Sequence, residues 1–288
     1  MTGVAEVGRA ANAAQAQRWN GESGRYWIAH RERHLAGHQH LTPHLFGAAG
    51  IATGDRVLDV GCGCGATTIA AARAARGDRR SPGGSAVGLD LSAPMLEVAR
   101  QLANQAGAAN IGFIRGDAQA CPLRTESFDV MISNFGVMFF DDPAAAFTRI
   151  AAVLRRHGRL AFLCWQDDAH NELCAIPLQA FGPYTQLPGS ASSGLFADPR
   201  QVRKLLASTG WRQVQIEAIN ESAWVGSDVD DVMSYVRGMP TIRGLTASLG
   251  DALIERVLAT IAERYSARQQ PDGIWVRAAA WLVTARRA

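Results

Sequence analysis

The chain has a single lysine. Lys204 stands alone among 29 basic side chains, and all the others are arginine. Against 26 acidic residues the formal charge is +3, too weak a bias for a nucleic-acid-binding surface. The densest basic cluster is Arg73, Arg76, Arg79 and Arg80. It has no aromatic residues between its members and reads as a solvated helix end. No run of about 18 or more uncharged apolar residues occurs, so no membrane-spanning helix is expected. The first twenty residues lack a continuous apolar segment, and no secretion signal is expected. Five cysteines at irregular spacing form no disulfide framework. They read as reduced thiols of a cytoplasmic protein.

Apolar residues make up 48% of the 288 positions and charged residues 19%. That allows a sizeable core and argues against global disorder. Up to about Phe46 the sequence reads as helical, with Trp19, Tyr26 and Trp27 spaced to share a surface. Strand and helix patterns then alternate. "DRVLDVG", "AVGLDLS", "IGFIRGDA", "FDVMISNFG" and "GRLAFLCW" read as strands. "ATTIAAARAAR", "APMLEVARQLANQAG" and "DPAAAFTRIAAVLRR" read as helices. Ser92 is placed to cap the second of these, with Pro94 in its first turn. Asp141 and Asp142 read as caps of the third. The alternation predicts an α/β fold with a mostly parallel sheet and helices on both faces. Beyond Trp165 come turn-rich loops, the helix "DPRQVRKLLASTG" and the strand "WRQVQIEAI". A helical stretch near 227–268 follows, broken at Gly238–Pro240, and "IWVRAAAWLVTARRA" reads as a final strand.

The stretch "VLDVGCGCGATT" joins the first strand to its helix. Glycine permits positive φ, and its missing Cβ lets a ligand lie against backbone. The helix that follows aims free N–H groups and the positive end of its dipole at that ligand. Cys62 and Cys64 are a poor metal site, because no second Cys or His pair stands nearby to complete a tetrahedron. Their spacing is not the C-x-x-C of a redox pair. Gly61, Gly63 and Ala66 satisfy the loose dinucleotide pattern G-x-G-x-x-G/A, with Asp90 ending the second strand as a ribose-binding acid. Asp59 stands awkwardly for a pyrophosphate and suits a ligand carrying an ammonium group. The tyrosine–lysine proton relay of the commonest dinucleotide reductases has no counterpart, since position 200, four before Lys204, is an arginine.

Five stretches taken in order, "VLDVGCGCG", "VGLDLS" with its following "ML" and "AR", "GDAQACPL", "FDVMISNFGVMFFDDP" and "LRRHGRLAFLCW", resemble the motifs of class I S-adenosylmethionine-dependent methyltransferases. The likeness is greatest to the small-molecule branch containing the ubiquinone and menaquinone C-methyltransferases. It covers about 56–165, and more loosely "RWNGESGRYW" and "AAAWLVTARR". Cys64 stands where that family has threonine or serine, and "RHG" at 156–158 replaces its Pro-Gly-Gly turn.

The resemblance implies a Rossmann-like, doubly wound sheet of seven strands, mostly parallel with an antiparallel last strand, plus a helical cap. Residues 1–45 are the expected N-terminal cap segment. Residues 46–288 are the expected cofactor domain, with a helical insertion near 227–268. The implied cofactor is S-adenosyl-L-methionine. Asp59, Cys62 and the backbone of Gly61, Gly63 and Gly65 would hold its methionine part, with Tyr26 from the N-terminal likeness. Asp90 would take both ribose hydroxyls. Leu91 would pack on the adenine with Met95 nearby, and Asp117 and Ala118 would meet its edge. Ser133 and Asn134 would border the sulfonium. "SNFGVMFF" lacks Arg and Lys, as a cation's surroundings should. Met131, Met138, Phe139 and Phe140 are expected in the core.

Methyl transfer to oxygen or carbon also needs a proton acceptor. His30, His34 and His38 recur every four residues, on one helical face. A solvated face, a base at the pocket mouth and a metal site all fit that spacing, and His30 and His34 are the expected bases. His170 is a second candidate, and His157 reads as structural. No resident metal is expected. The expected partner is a small apolar or aromatic metabolite such as a terpenoid, polyketide or quinone, not nucleic acid, and homo-oligomers stay open. RNA or protein methylation, a relative that binds the cofactor without transferring methyl, and a dinucleotide oxidoreductase are the alternatives.

Overall fold

The computed structural model describes residues 12–77, 83–120, 123–185, 194–247 and 249–288. Arg79, Arg80 and Cys121, and much of the loops near 77–85 and 182–194, lie outside them. Four short helices open the described chain: α1 (Ala13–Asn20), α2 (Glu22–Ala29), α3 (Arg31–Gly37) and α4 (Thr42–Ala49). Then β1 (Arg56–Val60), α5 (Ala66–Ala75), β2 (Ser85–Asp90), α6 (Ala93–Gln105), β3 (Ile111–Arg115), β4 (Phe128–Asn134), α7 (Pro143–Val153) and β5 (Leu154–Trp165) alternate as the sequence patterns predict. Ser92 accepts from Met95 N and Asp142 from Ala145 N, each capping its helix.

The sheet order is β3-β2-β1-β4-β5-β8-β6, with β6 at Trp211–Gly226 and β8 at Gly273–Arg287. Strands β1 to β5 are parallel, and β8 runs antiparallel to both β5 and β6. The sheet has eight strands, not the expected seven. The extra one is β7 (Gln269–Gln270), a two-residue hairpin partner of β8 too short to leave a periodic signal. The remaining helices are α8 (Glu172–Phe181), α9 (Pro199–Ser208), α10 (Val229–Gly238), α11 (Pro240–Thr246) and α12 (Asp251–Ser266). The insertion is thus broken twice, at Met239 and again near 247–250.

Alternate residues of the central strands enter two cores, as a sheet covered on both faces requires. Val57, Val130, Ile132, Ala161 and Leu163 pack with α4, α5 and the insertion helices. Leu58, Met131, Leu160 and Phe162 pack with α7 and α9. The strand order reverses between β1 and β4, and ligands of such sheets bind beyond the carboxyl ends of the strands at that point. No helix among the described residues is long and apolar enough to cross a membrane.

Candidate functional site

A crevice opens at that switch point. Gly61, Gly63, Asp90, Leu91, Met95, Asp117 and Ala118 line it from the strand tips and their turns. Trp19, Trp27, His38, Asn134, Phe135 and Trp165 line it as well, with Met138, Phe139 and Phe140. Its non-atom space, open solvent at the mouth included, is about 920 Å³.

The turn after β1 is held by three glycines with different tasks. Gly61 (φ +69) faces Gly136, where an added Cβ would sit 2.8 Å from Cα. Gly65 (φ +82) is closed in by Ala99 and Phe113. Gly63 (φ +52) is open, and an added Cβ would meet only Met95 Sδ, at 3.8 Å. Its N–H donates to Asp90 Oδ2 at 2.8 Å, and Ser92 N–H donates to Oδ1 at 2.8 Å. Burial raises the Asp90 pKa, against the lowering effect of these N–H bonds. Asp117 accepts from Gln119 N at 2.9 Å.

Several expected contacts fall elsewhere. Asp59 does not line the crevice. It is fully buried, and its Oδ2 accepts from Thr67 and Thr68 hydroxyls at 2.6 Å each, while Oδ1 has no partner. Asp59 therefore pins the first turn of α5. Burial lifts its pKa to about 6; the threonine bonds oppose the rise and Asp90 adds to it. The Cys62 thiol is buried, 2.7 Å from where a Cβ on Gly88 would be. Ser133 is buried, donating to Val60 O at 2.7 Å and accepting from Gly136 N at 3.2 Å. It staples β4 to β1 and does not line the crevice. Tyr26 also lies off the crevice; its hydroxyl donates to Tyr235 O on α10 at 2.5 Å. Asn134 does line it. Its Nδ2 donates to Thr42 Oγ1 at 3.3 Å, and its buried Oδ1 is unpartnered.

The histidines are redistributed. Helices α2 and α3 meet at His30, whose non-helical φ of −109° interrupts the face the spacing implied. His30 lies 4.4 Å from the Tyr26 ring and 5.0 Å from Tyr235. His34 stacks on Trp27 at 3.7 Å, with Nε2 buried and unpartnered. Neither lines the crevice. His38 does, at the carboxyl end of α3, with its ring 4.8 Å from Phe135 and 5.7 Å from Trp165. Burial pushes its pKa down to about 4. His157 pairs with Arg212 at 2.6 Å, and His170 is exposed away from the crevice. Among the described residues no cluster of three His, Cys, Asp or Glu side chains could hold a metal.

Residues 58–162 match the family Methyltransf_11, described as methyltransferase domain. This segment is similar to methyltransferase domains. The chain is 36% identical over 110 residues to aklanonic acid methyltransferase DauC of Streptomyces sp. (strain C5), covering 38% of this chain and 48% of that protein. It is 35% identical over 130 residues to demethylmenaquinone methyltransferase of Lactiplantibacillus plantarum, covering 45% and 53%. The chain thus spans about half the length of the curated relatives it matches. Among solved structures, geranyl diphosphate C-methyltransferase from Streptomyces coelicolor A3(2), in complex with Mg2+, geranyl diphosphate and S-adenosyl-L-homocysteine, gives a TM-score of 0.50 at 17% identity. That match covers 87% of this chain and 79% of that one, a likeness of fold.

Within the matched segment, the tips of β1, β2 and β3 and residues 134–140 supply most of the crevice lining. Trp19, Trp27, His38 and Trp165 join them from outside the match, and sequence reasoning missed most of this aromatic part. Phe135 adopts a left-handed backbone (φ +63), unusual for a bulky residue. This turns its ring onto Trp165, 3.8 Å away at 21°. Met138, Phe139 and Phe140 line the crevice, Met138 and Phe140 while also packing against the core; of the four residues expected in the core, Met131 alone is fully buried. The N-terminal helices are tied across the domain. Ser92 Oγ donates to Trp19 O at 2.7 Å, and Asn20 Nδ2 donates to Leu91 O at 3.1 Å. Arg33 clamps α3 to the insertion through Val225 O and the Asp231 carboxylate, its guanidinium over the Tyr235 ring at 4.8 Å. The signal that could have found this part was the density of aromatics in 19–27 and 135–140.

Proposed function

We propose that this chain transfers a methyl group from S-adenosyl-L-methionine to a small apolar or aromatic metabolite, at oxygen or carbon. The observation that carries this reading is the Asp90 carboxylate, held in the crevice beside the open backbone of Gly63. A carboxylate offers about four lone-pair sites. Two are used by Gly63 and Ser92, which leaves sites for the vicinal hydroxyls of a ribose. Gly63 provides a surface that a Cβ would fill. Leu91, Met95, Asp117 and Ala118 stand beyond, an apolar slot with an acceptor at its edge for an adenine. Among the described residues no Arg or Lys lines the crevice, and aromatic faces suit a sulfonium cation.

When bound, the cofactor supplies a methyl group on a good leaving group. The chain's own work is alignment and exclusion of water. Asp90 and the glycine turn fix the adenosyl part. The aromatic wall of Trp19, Trp27, Phe135, Phe139 and Trp165 shapes a dry acceptor space. We assign the helices up to residue 45 and the insertion near 227–268 to a cap over that space. The bareness of basic charge favours a small metabolite over RNA and fits a cytoplasmic enzyme of secondary or quinone metabolism.

Calorimetry with S-adenosylmethionine and with NADH tests the cofactor. Binding of the first and none of the second is expected, and the reverse overturns the reading. A screen of acceptors with labelled methyl donor, read by mass spectrometry, tests the transfer. Label appearing on RNA or protein in place of small apolar molecules, or nowhere, would favour the alternatives.

A further inference from the structure

We infer that His38 is the proton acceptor of the reaction, and that the methyl acceptor is a planar ring bearing a phenolic or enolic hydroxyl, methylated at that oxygen. The inference rests on the proposed methyl transfer and specifies its substrate.

Among the described residues, the titratable side chains lining the crevice are Asp90, Asp117 and His38. The two carboxylates stand at the tips of β2 and β3, and both already accept backbone N–H bonds. His38 stands at the carboxyl end of α3, and its ring nitrogens have no hydrogen-bond partner among the described residues. It forms one wall with the stacked pair Phe135 and Trp165. Asn134, with its unpartnered Oδ1, lines the same crevice. Flat faces on this wall fit a flat ring.

The charge of the lining narrows the class. Among the described residues no cation lines the crevice; Arg18 lies over the Trp19 and Phe139 rings without lining it. An acceptor already anionic, such as a carboxylate, would find no protein partner there. A neutral hydroxyl must therefore lose its proton as the methyl arrives. Burial keeps the His38 ring neutral, with a pKa of about 4, so it is ready to accept. The same burial makes it a weak base. It can serve hydroxyls that are acidic to begin with, near the phenolic value of about 10, and not aliphatic alcohols. In the step the acceptor oxygen forms the new O–CH3 bond. The S–CH3 bond breaks with its electron pair kept on sulfur, and the hydroxyl proton passes to His38. The positive charge so moves from sulfur to imidazolium, and solvent takes the proton when products leave.

The test uses the full chain saturated with S-adenosylhomocysteine and two probes, 1-naphthol and 1-methoxynaphthalene, followed by calorimetry. Naphthol is expected to bind roughly tenfold tighter, the worth of one hydrogen bond. His38→Phe, which keeps a flat ring in the wall, is expected to abolish that preference, and His38→Gln to retain part of it. Equal binding of the two probes, a preference that survives in His38→Phe, or no binding of either probe to a chain that does bind S-adenosylhomocysteine overturns the inference alone. Failure to bind S-adenosylhomocysteine overturns the methyl-transfer reading beneath it. On an acceptor found by the labelled screen, His38→Gln is expected to lower kcat about a hundredfold or more with cofactor affinity unchanged. Unchanged kcat on a phenolic acceptor removes His38 as the base.

Discussion

The carboxylate of Asp90 and the backbone N–H of Gly63 are joined by a 2.8 Å hydrogen bond. It ties the tip of β2 to the turn after β1, so one side chain both shapes the crevice and faces into it. Asp90→Ala is expected to weaken S-adenosylmethionine binding by roughly 1.5–3 kcal/mol, the scale of a hydrogen bond to a charged group. Calorimetry reads this directly, and an unchanged affinity removes Asp90 from the site.

The glycines separate folding from binding. Gly61→Ala drives a methyl against Gly136 at 2.8 Å and is expected to cost roughly 3 kcal/mol or more of stability through overpacking and positive φ together. Gly63→Ala carries only the backbone strain, about 1–2 kcal/mol, but puts a methyl into the crevice. Thermal unfolding should therefore distinguish Gly61→Ala, and cofactor affinity Gly63→Ala. The same Tm loss in both variants would contradict the geometry.

Two histidines make the fold sensitive to acid. Burial lowers His34 to about 3, helped by the neighbouring His38, His30 and Arg33, and lowers His38 to about 4. Both lie below the unfolded value of 6.5. Between those values the unfolded chain binds more protons, so stability falls as pH drops below about 6.5. Replacing either ring by phenylalanine should flatten the acid limb of a plot of unfolding free energy against pH.

Asp59 acts with the opposite sign. Its folded pKa of about 6 lies above the unfolded 3.8, so the folded chain holds the extra proton between these values. Its contribution is present at low pH and is lost as pH rises through about 6. Asp59→Asn should therefore gain on the wild type between pH 4 and pH 7 in denaturant titrations, by roughly 3 kcal/mol for a shift of that size. A difference independent of pH would show the carboxylate to be unperturbed.

Arg33 joins the N-terminal helices to the insertion. Arg33→Ala removes its bonds to Val225 O and Asp231 and should cost about 2 kcal/mol. Amide exchange should accelerate in α2, α3 and α10 ahead of the central strands.

What could be read in advance was local. The glycine turn, the acids ending β2 and following β3, and the helix caps depend on neighbours in sequence, and Asp90, Asp117, Ser92 and Asp142 stand in the expected places. The misplacements share one cause. Asp59, Cys62 and Ser133 face inward under the turn, a matter of which side of a strand or turn a side chain takes when β1, β4 and α5 pack together. His38, and not His30 or His34, reaches the crevice because the helix breaks at His30 and the Phe135–Trp165 pair waits at the far end of α3. No periodicity encodes that meeting. Phe135 carries its left-handed backbone with no glycine to announce it.

The position of β8 has a consequence for synthesis. Its fifteen residues lie between β5 and β6, yet they leave the ribosome after both. Until they arrive, the sixteen-residue β6 has no partner in the sheet and presents a long bare edge of the kind that invites mispairing. At translation speeds of about 5–20 residues per second, the stretch separating the two strands takes some seconds to emerge. Helices α10 to α12 are made in that interval. The two halves of the sheet are thus joined from within by a segment translated after both of its neighbours, and the cell must keep β6 from other company until then.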